Sequence, residues 1–203
     1  MNPALAKVGN TIIITFTSSE LLIANPTAII AGQPANVAPT LNPNEYTASY
    51  LTTGIETEGI IPFTIDFIDL AGNAGTQVTA TTDLSSVTFD KTLPTLTSVS
   101  IASNNIINPL FAKVGDTVTL SFVADELLLN TPVVTIAGQS VIATPAGGNA
   151  YTASYIMTFG EPEGPIAFTI DFTDLAGNLG GTVITDTIVP ITSVMFDKTA
   201  PSA

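Results

Sequence analysis

The sequence predicts an all-β chain in which one sandwich module occurs twice in tandem, and three observations lead there. The first is repetition. Residues 2–33 align without gaps to 108–139, with 16 of 32 positions identical, and 46–75 align to 151–180 with 21 of 30 identical. The offset between copies drifts only from 105 to 107, so length changes are confined to two loops. The second is period-two alternation of apolar and polar residues, as in "TVTLSFV" (117–123) and "FTIDF" (168–172). The third is punctuation: Gly, Pro and Asn clusters such as "PAGGN" and "GEPEGP" interrupt these runs at short intervals, and no segment keeps a helical period beyond two turns.

Taken in order, the second copy yields seven strands. Strand A is expected near 95–102, where Ser and Thr alternate with Leu, Val and Ile. A kinked A′ segment follows in "NNIINPLFAKVGD". Strand B is expected at 117–124, C at 132–137, D at 140–144 and E at 150–158, where Tyr151, Tyr155 and Met157 share a face. Strand F is expected at 166–173, with Phe168, Ile170 and Phe172 inward, and G at 179–188. Seven short strands in roughly one hundred residues is the pattern of an immunoglobulin-like sandwich. The expected modules are 1–92 and 93–203. The first begins at its A′ segment and so lacks an A strand, which suggests a piece of a longer protein.

Composition narrows the function. Among 203 residues, 17 are acidic against four lysines, with no histidine and a formal charge of −13. Nothing in such a chain neutralises a phosphate backbone, so nucleic acid is not an expected partner, and an anionic lipid surface would repel it. With 45% hydrophobic residues the chain can fill its cores. Cysteine is absent, so disulfides and thiolate metal sites are excluded. No apolar run approaches the ~20 residues of a membrane span. Without His or Cys the usual nucleophilic triads cannot be assembled, and catalysis is not expected.

Two phrases recur in phase. "DLAGN" stands at 69–73 and 174–178, and "FDKT" at 89–92 and 196–199, the first continuing as "FDKTLP". These phrases resemble those of tandem bacterial Ig-like repeats from large secreted adhesins and other cell-surface proteins. There a "D-K/T-T-A-P" phrase opens each module and a "D-x-A-G-N" turn joins its last two strands. The resemblance implies an extracellular, bacterial cell-surface location, neighbouring Ig-like repeats as partners, and a spacer or adhesive array often reinforced by calcium at module junctions.

Sandwich topology says which acids can meet. The B–C and F–G loops lie at the pole where the chain enters, so the entering Asp90, the B–C residues Asp125 and Glu126, and the F–G residues Asp174 and Asn178 converge on the second module. An all-oxygen set of this kind suits Ca²⁺, which takes six to eight oxygen ligands. In the first copy Ser19 replaces the equivalent of Asp125, leaving Glu20, Asp69 and Asn73 as a weaker second site. "DLAGN" also reads simply as hairpin chemistry, and both roles are compatible. The glutamates of "GIETEG" (54–59) and "GEPEGP", together with Asp66 and Asp171, read as solvated charge. The lysines of "AKVG", Lys7 and Lys113, read as exposed, and the tyrosines as core or its margin.

The expected function is a structural spacer of an extracellular stalk, fibre or surface layer. The alternative is an adhesive module that reads a glycan or protein partner through its loops. A third course is self-association, in which the first copy accepts a strand from another chain.

Overall fold

The computed structural model describes residues 4–186 and 193–202. Every regular element among them is a strand. No helix there is long and apolar enough to cross a membrane. The chain divides into two compact units, Met1–Lys91 and Thr92–Ala203.

The first unit contains β1 (Ala4–Ala6), β2 (Thr11–Thr17), β3 (Thr27–Ile30), β4 (Gln33–Pro34), β5 (Asn36–Pro39), β6 (Glu45–Leu51), β7 (Gly59–Ile60), β8 (Phe63–Asp66) and β9 (Val87–Phe89). The second contains β10 (Leu96–Ser103), β11 (Phe111–Ala112), β12 (Thr117–Ala124), β13 (Val133–Ile136), β14 (Gln139–Ile142), β15 (Thr144–Gly147), β16 (Ala150–Ile156), β17 (Gly164–Pro165), β18 (Phe168–Asp171) and β19 (Met195–Phe196).

One layer of the second unit has the order β10-β12-β16-β15. The other combines β14-β13-β18 with β11-β19-β17. Strands β17 and β18 are two halves of one strand, separated by Ile166 and Ala167. There the chain changes partner: the Ile166 amide donates to Val194 O, and Ala167 O accepts from the Ala137 amide. The first unit repeats this layout as β2-β6-β5, β4-β3-β8 and β1-β9-β7, with one difference: no described residue supplies a counterpart of β10.

Alternation becomes burial. In β12, Val118, Leu120, Phe122 and Ala124 are buried while the intervening residues are half-buried. The side chains of Val118, Leu120 and Phe122 meet Val134 and Ile136 of β13, Phe168 and Ile170 of β18, and Phe172 in a single core. Phe122 stacks on Tyr151 at 5.7 Å, and Phe16 on Tyr46 at 5.8 Å. The β3–β4 and β13–β14 turns each place an alanine and a glycine at positive φ, Ala31–Gly32 and Ala137–Gly138. Both central residues of such a two-residue hairpin need that conformation.

The structure moves one strand. Residues 179–186 contribute only isolated bridges, Leu179 to Thr173 and Val183 to Ile170, and residues 187 and 188 lie outside the described residues. The strand that closes each module is instead β9 or β19, which includes the Phe of "FDKT". It runs parallel to β1 or β11, with Ala6 opposite Phe89 and Ala112 opposite Phe196. Phe89, Phe196 and Val194 are buried. The first half of "FDKT" is therefore the end of a module and not the start of the next, because its aromatic ring fills the core of the module it follows.

Candidate functional site

The "DLAGN" turn has the same geometry twice. In the second unit the Asn178 amide donates to Asp174 Oδ1 at 2.8 Å, and Asn178 Nδ2 donates to Oδ2 at 2.8 Å. The Asp174 amide donates to Asn178 O at 3.1 Å, and the Gly177 amide donates back to Asp174 O. Gly177 takes φ 91°, which a Cβ would disfavour. In the first unit Asn73 makes the same two bonds to Asp69, each 2.8 Å. These bonds, from the Asn73 side chain first and its backbone second, hold the Asp69 carboxyl below its usual range.

Burial separates the two copies. Asp174 is 0% exposed, whereas Asp69 is half-buried and Asn73 exposed. Glu126 approaches Asp174 in the second unit, with carboxylate oxygens within 4.8 Å of one another. Two carboxylates this close, one of them shielded from water, repel unless a cation or proton intervenes. Both oxygens of Asp174 already accept a bond from Asn178, and each carries a further lone pair that could face a metal.

The other expected ligands are placed as follows. Asp125 turns to Thr95: Oδ1 accepts from the Thr95 amide at 2.9 Å and Oδ2 from the Thr95 hydroxyl at 2.6 Å. The Thr95 hydroxyl and amide hold its carboxyl below the usual range. It ties the segment entering β10 to the loop after β12. Asp90 follows β9, and its amide donates to Ala6 O at 2.9 Å in the first unit. Glu20, Asp69 and Asn73 line one cleft of about 150 Å³, together with Ser18 and Phe67.

A second constellation appears in both copies, and here the reading of solvated glutamates fails for the first glutamate of each pair, while Glu58 and Glu163 are exposed. Glu56 is 2% exposed and Glu161 5%. Glu56 accepts from the Tyr50 hydroxyl at 2.5 Å, the Gly54 amide at 2.7 Å and the Thr53 amide at 2.9 Å. Burial pushes this carboxyl up, but the Tyr50 hydroxyl and the loop amides outweigh it and hold it at about 2. Glu161 accepts from Tyr155 at 2.6 Å and from the Thr158 amide at 2.7 Å, and these bonds lower its pKa as well. Each tyrosine hydroxyl is pushed up in turn by the glutamate it donates to.

The lysines of "FDKT" fasten the same loops. Lys91 Nζ donates to Gly54 O and Glu56 O, both at 2.9 Å. Lys198 Nζ donates to Phe159 O at 3.0 Å and Glu161 O at 2.8 Å, and lies 4.8 Å from the Phe159 ring centroid. The carboxylates of Glu58 and Glu163 accept from the amides of Lys91 and Lys198. The signal for this latch was a Tyr-x-x-Thr-x-x-Glu spacing common to both copies, 50–56 and 155–161. Lys113 is exposed and lies 3.5 Å from Asp116.

No protein-family model and no curated protein sequence matches the chain. Solved structures do. A Ca²⁺-stabilized adhesin with which an Antarctic bacterium binds ice superposes with a TM-score of 0.57 at 17% identity, over 98% of this chain and 47% of that one. A 1.5-MDa bacterial ice-binding adhesin gives 0.55 at 16% identity, over 97% of this chain and 62% of that one. This chain has the fold of those adhesin segments. It spans roughly half to three-fifths of their length, and at these identities the likeness concerns the fold alone.

Proposed function

We propose that the chain is a spacer segment of an extracellular bacterial surface protein, an adhesin stalk, fibre or surface layer, with no catalytic role. The observation that carries this reading is the internal duplication. Both units repeat the same turn, the same glutamate latch and the same closing strand, with loops that differ by a residue or two. Repeated modules stack length, whereas recognition usually rests on a feature confined to one copy. The hydroxyls of Tyr50 and Tyr155 are committed to Glu56 and Glu161 within each copy, which supports a structural use of these side chains.

Calcium at the head of the second module belongs to the same proposal. Glu126 and Asp174 form its pair of carboxylates, Asn178 orients Asp174, and Asp125 fixes the adjoining segment. The donors are all oxygen, as a hard cation prefers. Calorimetry and thermal unfolding with millimolar Ca²⁺ test the idea. A hundredfold excess over Kd would stabilise the second unit by about 2.7 kcal/mol. Glu126→Gln, which leaves the Asp174–Asn178 turn intact, should weaken binding about tenfold. Neither heat nor a gain in melting temperature would refute the calcium site while leaving the spacer reading in place.

A further inference from the structure

Four leucines of the second unit stand in water around its "DLAGN" turn. Leu128 bridges Asp174 and the Leu129 amide donates to Thr173 O, so the same register sets Leu127 opposite Leu175. Thr173 bridges Leu179 in turn. Alternation sends Leu128, Phe172 and Asp174 inward and Leu127, Leu129, Leu175 and Leu179 outward. These four are 44–64% exposed. Side chains opposite one another across such a register lie ~5 Å apart, so they form one aliphatic patch.

The first unit repeats the arrangement. Leu22 bridges Asp69 and the Ile23 amide donates to Ile68 O, which sets Leu21 opposite Leu70. Leu21, Ile23, Ile68 and Leu70 are 45–63% exposed. The residues belong largely to the repeated phrases "ELL" and "DLAGN", whose polar groups build the turn but whose outward aliphatic side chains serve nothing within the module. Leu41, Leu84, Ile106 and Ile107 are exposed as well, but they stand singly or in pairs on loops. Scattered apolar residues are normal at a surface, whereas a contiguous patch marks a contact.

We propose that this patch joins copies of the chain side by side, each module's patch lying against the same patch of a second copy. Periodicity selects the occupant: the patch occurs once per module, and a second copy carries its own patches at the same separation by construction. The area agrees. Roughly half of each side chain is in water, so one module offers on the order of 400 Å² and the chain about 800 Å², the share one partner gives to a standard interface. The patch is purely aliphatic, without the aromatic rings of a membrane-interface belt. At its margin Asp171 accepts from Thr182 and Asp66 from Gln77, which supplies a polar rim. Two chains of charge −13 repel, so the contact is weak and tightens as salt screens them. This goes beyond the spacer reading, which holds for a single stalk as well as for a bundle.

The test is sedimentation equilibrium of the whole chain up to about 500 µM, at about 0.1 and 1 M NaCl. A reversible dimer is expected, tighter by about threefold or more at the higher salt. Leu21→Ser, Leu70→Ser, Leu127→Ser and Leu175→Ser together should weaken it more than about tenfold, with folding intact because these side chains lie outside the cores. Serine at Leu41, Leu84, Ile106 and Ile107 instead should leave it unchanged. In the unsubstituted chain, hydrogen exchange should slow with rising concentration at 127–129 and 173–179. The proposal is overturned by a monomer at both salts, by a dimer that salt weakens, or by equal association of the patch variant and the unsubstituted chain. It is overturned equally if the loop variant loses as much as the patch variant, or if exchange at the patch ignores concentration. Patch-dependent flotation with phosphatidylcholine vesicles, with no dimer, would make lipid the occupant and overturn it too.

Discussion

Replacing Glu56 by Gln examines the buried latch directly. The carboxylate sits 2% exposed among the Tyr50 hydroxyl and the amides of Thr53 and Gly54, and its pKa falls from 4.5 to about 2. At ~1.4 kcal/mol per unit this corresponds to a stabilisation of roughly 3–4 kcal/mol. A module of this size has on the order of 5–10 kcal/mol in total, so the loss is substantial. Because the folded pKa lies below the unfolded one, the stabilisation is complete above about pH 4.5 and disappears as the pH falls toward 2. The assay is urea unfolding followed by hydrogen exchange at 45–51, which reports the first unit alone. Glu56→Gln should lose about 3–4 kcal/mol at pH 7, and its difference from the unmodified chain should shrink through the window from pH 4.5 to 2. Equal stability at pH 7, or a difference independent of pH, would refute the assignment of the charged carboxylate as the centre of the latch.

Two further outcomes follow from the packing. Phe196→Ala should destabilise the second unit by about 3–5 kcal/mol, measured by chemical denaturation, because the ring is buried in its core; an effect near zero would return "FDKT" to the role of a linker. Gly180→Ala should cost about 1–3 kcal/mol in thermal unfolding, since a Cβ there would come within 2.4 Å of the Phe172 ring edge, and Gly75→Ala should behave alike against Phe67.

Strands with several alternating residues were legible in the sequence. The reading placed B at 117–124 and E at 150–158, and the structure has Thr117–Ala124 and Ala150–Ile156. The turn role of "DLAGN" was legible too, because Asp, Gly and Asn each serve a distinct backbone need there. The closing strand was not. It is two or three residues long, too short for a period, and its parallel partner lies more than eighty residues away. Glu56 and Glu161 misled for another reason. A carboxylate in a short glycine-bounded loop reads as solvated, and the fold brings the tyrosine hydroxyl from the end of the preceding strand onto it. At the acidic cluster the sequence grouped Glu126 with Asp174, whose carboxylate oxygens lie within 4.8 Å, but it did not reveal that Asp125 would spend both oxygens on Thr95.

The parallel alignment of β1 with β9 has a mechanical consequence. The first and last strands described in the first unit lie side by side and point the same way, joined at Ala4–Ser86 and Ala6–Asp90. Tension drawn along the chain pulls these neighbours in opposite directions along their common axis. The bonds between them then carry the load together, in shear, and must give way at once. A hairpin pulled at its open end would lose them singly. Resistance to such traction is a rate of rupture more than an equilibrium, and it is set by these few short contacts at the module's ends.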